Sequence, residues 1–243
     1  MSNLGKQHWD VVKWILRYLK GTPNFLLCFG GKYTSLRGYT DSDMARNLDN
    51  RRSTTGYVFT FAGAEISWTS KLQEVVSLSS TNAEYIALTE GAKELIWLQR
   101  LFGDFDCPQQ GSTLYCDSKS AIDLAKNAVF HSRTKHIEVR YHFIRSKLEE
   151  GKLQVLKINT KENPADALTK GVPREKFEFC RASHTLLRNN SRGFQGRLIH
   201  YRCWTSSGGL FGVYVKPNSH SFIMHILLCF PPIVRLFISF ETL

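Results

Sequence analysis

The sequence predicts an α/β fold in which helices cover a mixed sheet, and three observations carry that prediction. Short strand-like runs lie close together between residues 36 and 69, one long run of helical period follows to Phe102, and strand-like and helix-like runs then alternate to about residue 170. The chain has 243 residues and 42% apolar content, enough for a real core in one large or two small domains. Its formal charge of +11 favours a polyanionic partner, nucleic acid before acidic lipid. Six cysteines (Cys28, Cys107, Cys116, Cys180, Cys203, Cys229) form no C-x-x-C pair and no secretory leader opens the chain. Reduced thiols in an intracellular protein of the cytoplasm or nucleus are therefore expected, not a secreted protein and not a zinc protein.

From His8 to Lys20, Trp9, Val12, Ile15, Leu16 and Leu19 recur at helical spacing among Lys13, Arg17 and Lys20, and Gly21-Thr22-Pro23 ends this basic amphipathic helix. Leu36 to Asp43 reads as a short strand ending in an acidic turn at Asp41. After a polar loop, Thr55–Phe61 and Ala64–Thr69 read as two strands joined by a tight turn at Ala62-Gly63, giving a three-stranded antiparallel meander. The long helix follows, with Ala87, Leu88, Gly91, Leu95, Leu98 and Phe102 on one face and Glu84 heading that stripe. Thr81 as N-cap with Glu84 three residues on would make a capping box, which explains the Glu without any function.

Ser112 to Asp117 reads as a fourth strand with an acid at its end, and Ser118 to Asn127 as a short helix that Asp117 would cap. His131 to Gly151 has the period of a longer helix burying Ile137, Tyr141, Ile144 and Leu148, with His136, Arg140 and Lys147 on an adjacent face. Leu153 to Ile158 alternates as a fifth strand. Asn163-Pro164-Ala165-Asp166 opens a last helix, with Asn163 as N-cap and Asp166 in its first turn, favourably placed toward the helix dipole. Beyond about Leu187 no period is sustained. The apolar run from Phe222 to Phe240 is halved by Pro231-Pro232 and interrupted by His225 and Arg235, so an unpacked or loosely docked tail is expected rather than a membrane span, which takes roughly 20 apolar residues.

Asp41, Glu84, Asp117 and Asp166 thus stand at four element ends, each with a local explanation. If the first and fourth strands are parallel neighbours, the four carboxylates share one small volume. Unneutralised they repel one another severely. Divalent cations resolve that repulsion, and oxygen-only ligands point to two Mg²⁺ or Mn²⁺ ions. Two such ions about 4 Å apart suit phosphodiester hydrolysis.

Gly38-Tyr39-Thr40-Asp41-Ser42-Asp43, Arg51 to Tyr57, Ile66-Ser67-Trp68, Leu78 to Tyr85, Cys116-Asp117-Ser118, His131 to Ile137 and Ala165 to Lys170 resemble, in order and spacing, the ribonuclease H domain that ends the polyprotein of copia-type retrotransposons. The resemblance implies a ribonuclease H-like fold, a five-stranded mixed sheet in order 3-2-1-4-5 flanked by helices. It also implies cleavage of the RNA strand of an RNA/DNA hybrid, with the acidic quartet at Asp41, Glu84, Asp117 and Asp166. Cellular members use a histidine near the last acid to help product leave; His131, His136 and His142 are candidates, and His136, on the face of Arg140, is preferred.

A shallow groove carrying 2′-hydroxyls is read by small polar groups, which suits Ser42, Ser79, Asn82 and Ser118. Arg51, Arg52, Lys71, Lys135 and Arg140 would hold phosphates. The expected organisation is residues 1–30 as the end of the reverse transcriptase region, 34–182 as the ribonuclease H-like domain and 183–243 as an unmatched, poorly ordered tail. The reverse transcriptase portion is an expected partner in cis or trans, and a catalytically silent relic that still binds nucleic acid is the alternative.

Overall fold

The computed structural model describes residues 5–22, 25–29, 35–47, 49–109, 111–126 and 143–183, and the short strands at 186–188, 198–201, 211–215, 222–224 and 240–242. In chain order these form α1 (Lys6–Gly21), β1 (Phe25–Phe29), β2 (Arg37–Ser42), β3 (Thr54–Phe61), β4 (Ala64–Leu72), α2 (Ser80–Asp104), β5 (Thr113–Cys116), α3 (Lys119–Lys126), α4 (Phe143–Glu149), β6 (Gln154–Lys157), α5 (Asp166–Thr169), α6 (Arg174–Ser183) and the strands β7 (Leu186–Arg188), β8 (Leu198–Tyr201), β9 (Phe211–Val215), β10 (Phe222–Met224) and β11 (Phe240–Thr242).

The main sheet has the order β4-β3-β2-β5-β6, which is 3-2-1-4-5 when its own strands are counted along the chain. β2, β3 and β4 make the antiparallel meander, and β2–β5 and β5–β6 are parallel. This is the ribonuclease H-like topology. The meander turns at Ala62-Gly63, where both residues have positive φ (50° and 84°), the two-residue hairpin whose twist matches its strands. A bulge at Phe59/Thr60 interrupts the β3–β4 register.

The core lies between the sheet and α2. Leu88, Leu95, Leu98 and Phe102 of the helix are buried against Phe59 and Leu114 of the strands, each worth roughly 1.5–3 kcal/mol when fully removed from water. The predicted stripe is all buried, and Tyr85, Ala92 and Ile96 widen it. α2 approaches β2 closely because it presents Gly91, where an added Cβ would lie 2.5 Å from Thr40 Cγ2. α4 docks on the end of α3 through buried Arg145, whose Nε and Nη2 both donate to Leu124 O (3.0 and 2.9 Å).

Two end assignments differ from the sequence reading. The N-cap of α2 is Ser79, whose hydroxyl accepts from Asn82 N at 3.1 Å, so Thr81 lies inside the helix and Glu84 is in its second turn with no capping role. α5 is a single turn beginning at Asp166 with Ala165 at its N-cap, and Asn163 stands just ahead of it: its Nδ2 donates to Thr40 O (2.9 Å), and its Oδ1 accepts from Ala165 N (3.2 Å).

The tail, expected to hold no packed domain, contributes short strands. β7, β9 and β8 form a second sheet with β1 in the order β7-β1-β9-β8, and β10 pairs with β11. Among the described residues no helix is long and apolar enough to cross a membrane.

Candidate metal centre

Strand alternation decides where the acids point. Thr40 turns toward α2, so its neighbour Asp41 turns to the opposite face. There α5 lies directly on the sheet because Gly56, the cross-strand partner of Asp41, has no side chain; a Cβ would meet Thr169 Cγ2 at 2.7 Å and Leu168 Cβ at 3.0 Å. The short turn thereby brings Thr169 to Asp41, and the Thr169 hydroxyl donates to Asp41 Oδ2. β5 runs parallel to β2 with Cys116 opposite Thr40, so Asp117, the next residue, lies beside Asp41. Cys116 shares the α2 side, where its thiol lies 3.9 Å from Glu84 Oε2.

Asp41, Asp117 and Asp166 each bring a carboxylate oxygen within 4.8 Å of the others, and Glu84, Cys116 and Asp117 form a second group on the same criterion. Asp117 belongs to both, so the quartet predicted from sequence is one connected centre. Asp117 is not a helix cap: Ser118 Oγ accepts from Ala121 N at 3.3 Å and takes that part.

Asp41 and Asp166 are almost wholly buried. Burial, opposed by Thr169 and Lys170 and reinforced by Asp166 and Asp117, pushes the Asp41 carboxyl up to about 7. Burial and then the charges of Asp41 and Asp117 push Glu84 up to about 9, against a backbone hydrogen bond from Ser42 and the charge of Lys170. Burial likewise raises the Cys116 thiol, so it stays protonated and is a poor ligand. The remaining donors are all carboxylate oxygen, and charge is under-compensated. That set fits a hard divalent cation.

Lysines supply part of the missing charge: Lys170 Nζ is 2.9 Å from Asp166 Oδ1 and 3.4 Å from Asp41 Oδ2, and Lys176 Nζ is 3.5 Å from Asp166 Oδ2. Sequence reasoning missed Thr169, Lys170 and Lys176, although the i,i+4 spacing of Asp166 and Lys170 signals such a pair.

The residues expected to hold nucleic acid are spread more widely. Ser42 is buried, its hydroxyl donating to Asp43 O (2.9 Å) and accepting from Gln73 Nε2 (3.3 Å). Ser79 caps α2. Asn82 is buried with no hydrogen-bond partner for its Oδ1, and Ser118 is half-buried beside Asp117. Arg51 and Lys71 are exposed and Arg52 is half-buried; Arg51 and Arg52 lie in the loop before β3 and Lys71 near the end of β4. Lys135, Arg140 and the histidines His131, His136 and His142 lie outside the described residues.

Sheet topology and acidic centre together define a ribonuclease H-like domain. No protein-family model matches the chain. Over 181 residues, 74% of its length, it is 60% identical to the retrovirus-related Pol polyprotein from transposon TNT 1-94 of Nicotiana tabacum, and over 173 residues, 70%, it is 40% identical to that from transposon RE2 of Arabidopsis thaliana. The chain is thus a homologue of the retrovirus-related Pol polyproteins of transposons. It spans 14% and 12% of the length of these two relatives. Among solved structures, a ribonuclease H1 isolated from compost aligns with 56% of this chain and 93% of its own at 20% identity, with a TM-score of 0.43.

Proposed function

We propose that this chain is the ribonuclease H part of a copia-type retrotransposon polyprotein, a metal-dependent endoribonuclease that cuts the RNA strand of RNA/DNA hybrids. The observation that carries the reading is the sharing of Asp117 between two groups of ligand atoms, a set of carboxylates that would suit a pair of Mg²⁺ or Mn²⁺ ions. Asp41, Asp117 and Asp166 would hold one ion, and Glu84 with Asp117 the other. When bound, such ions lower the pKa of water and stabilise a leaving oxygen.

The chain's own groups prepare that site. Thr169 fixes the rotamer of Asp41, and Lys170, ion-paired to Asp41 and Asp166, keeps the carboxylates together without sealing the cluster, since its side chain is about one-third exposed. Lys170 also puts a cation beside the centre, where a phosphodiester would lie. Ser79, which caps α2, and Ser118, next to Asp117, would read a shallow groove, and the exposed Arg51 and Lys71 would meet phosphates. We take residues 34–182 as the catalytic unit and 1–30 as the end of the reverse transcriptase region, which is the expected partner.

The test is cleavage of a labelled RNA/DNA hybrid by the full chain, against RNA/RNA and DNA/DNA duplexes, with Mg²⁺, with Mn²⁺ and with chelator. Cleavage of the hybrid alone, and with metal alone, supports the reading. Binding of hybrid by folded protein without any cleavage would point instead to the silent relic.

A further inference from the structure

Gln73 follows β4 and points into the sheet's edge, where it is 4% exposed. Its Nε2 reaches three acceptors, Ala83 O (2.9 Å), Thr55 Oγ1 (3.1 Å) and Ser42 Oγ (3.3 Å). Its Oε1 accepts from Ser77 Oγ at 2.6 Å, and its backbone N–H donates to Ser53 O at 2.8 Å. One side chain therefore joins the end of β2, the start of β3, the loop after β4 and the start of α2.

The residues it holds are neighbours of the acids. Ser42 follows Asp41, and Ala83 precedes Glu84. Ser42 also donates its backbone N–H to the Glu84 carboxylate. A shift at Ser42 or Ala83 is passed by the peptide bond to a ligand, since no flexible segment intervenes.

We propose that Gln73 is a positioning residue of the metal centre, a buried amide that sets the separation between Asp41 on β2 and Glu84 on α2. The inference rests on the metal-dependent reading above. Gln73 touches neither ion nor substrate; it acts on the carboxylates through the backbone, as the outer partners of metal ligands do elsewhere.

Mn²⁺ is titrated by calorimetry into the full chain and into Gln73→Leu, with circular dichroism reporting the folded fraction. The expected result is a dissociation constant raised about ten- to a hundredfold with an unchanged number of sites per folded chain. In hybrid cleavage the Mn²⁺ requirement rises by the same factor while KM for the hybrid holds. A residue that served the fold alone would lower the number of sites and leave the dissociation constant where it was. Wild-type protein that binds no Mn²⁺ removes the metal-dependent reading itself. Wild-type binding beside a folded Gln73→Leu of equal affinity overturns this inference alone. Should Gln73→Leu not fold, Ser77→Ala decides, because it frees only the amide oxygen: a raised dissociation constant supports the inference and an unchanged one overturns it.

Discussion

At the scale of single residues, Asp117 is the carboxylate whose loss should cost most, since it alone serves both ligand groups. Asp117→Asn is expected to leave the fold intact and to abolish metal-dependent cleavage of the hybrid, read from the same labelled substrate. The raised Asp41 and Glu84 make a second prediction, with a definite sign. Their ordinary pKa values lie near 4, so between that pH and about 7 for Asp41 or about 9 for Glu84 the folded state binds protons that the unfolded state has released. The stabilisation from these two groups is full below about pH 4 and is lost as pH rises through those folded values. Bound Mn²⁺ compensates the charge, so the rise in Tm that it produces should be larger near pH 8 than near pH 5.5, as thermal melts with and without metal would show.

At the scale of elements, the contact between α5 and β3 depends on Gly56. Gly56→Ala must push Thr169 and Leu168 off the strand, at about 1–3 kcal/mol in a urea titration. It should also weaken Mn²⁺ binding, because Asp166 moves with the turn. The hairpin at Ala62-Gly63 gives the opposite case: Ala62 sits at φ 50°, so Ala62→Asn or Ala62→Gly should stabilise the domain by up to roughly 1 kcal/mol. The same elements show how far the sequence could be read. Strand alternation, the helical stripe of α2 and the hairpin dipeptide are local signals, and they located the sheet, the core and the four acids. The caps were misread because Ser79-Ser80-Thr81 offers several N-cap side chains in succession and only the packed helix selects one. Gln73 and Thr169 were missed because their meaning comes from partners distant in sequence: Gln73 reaches back to Ser42, and Thr169 reaches across to Asp41. Asn163 keeps a cap-like bond from Ala165 N to its Oδ1, and only its second tie, from Nδ2 to Thr40 O, lay beyond the local pattern.

At the scale of the whole molecule, the apolar face of α1 finds little cover among the described residues. Trp9, Ile15, Leu16 and Leu19 are each more than half exposed, although Tyr18 packs edge-on against Phe177 of α6 at 6.0 Å between ring centroids. A stripe of that kind promotes association. Replacing Leu16 and Leu19 with Gln should reduce light scattering by concentrated protein while changing stability by less than about 0.5 kcal/mol. The sheet itself has a temporal consequence. Its central pair joins Arg37–Thr40 to Thr113–Cys116, 76 positions apart, and the last carboxylate arrives later still, on α5. A ribosome that has released the chain only through α4 has made three of the four acids and has assembled no complete centre. Synthesis thus gives the chain a latent interval, in which the acidic centre stays incomplete until Asp166 and the lysines behind it emerge.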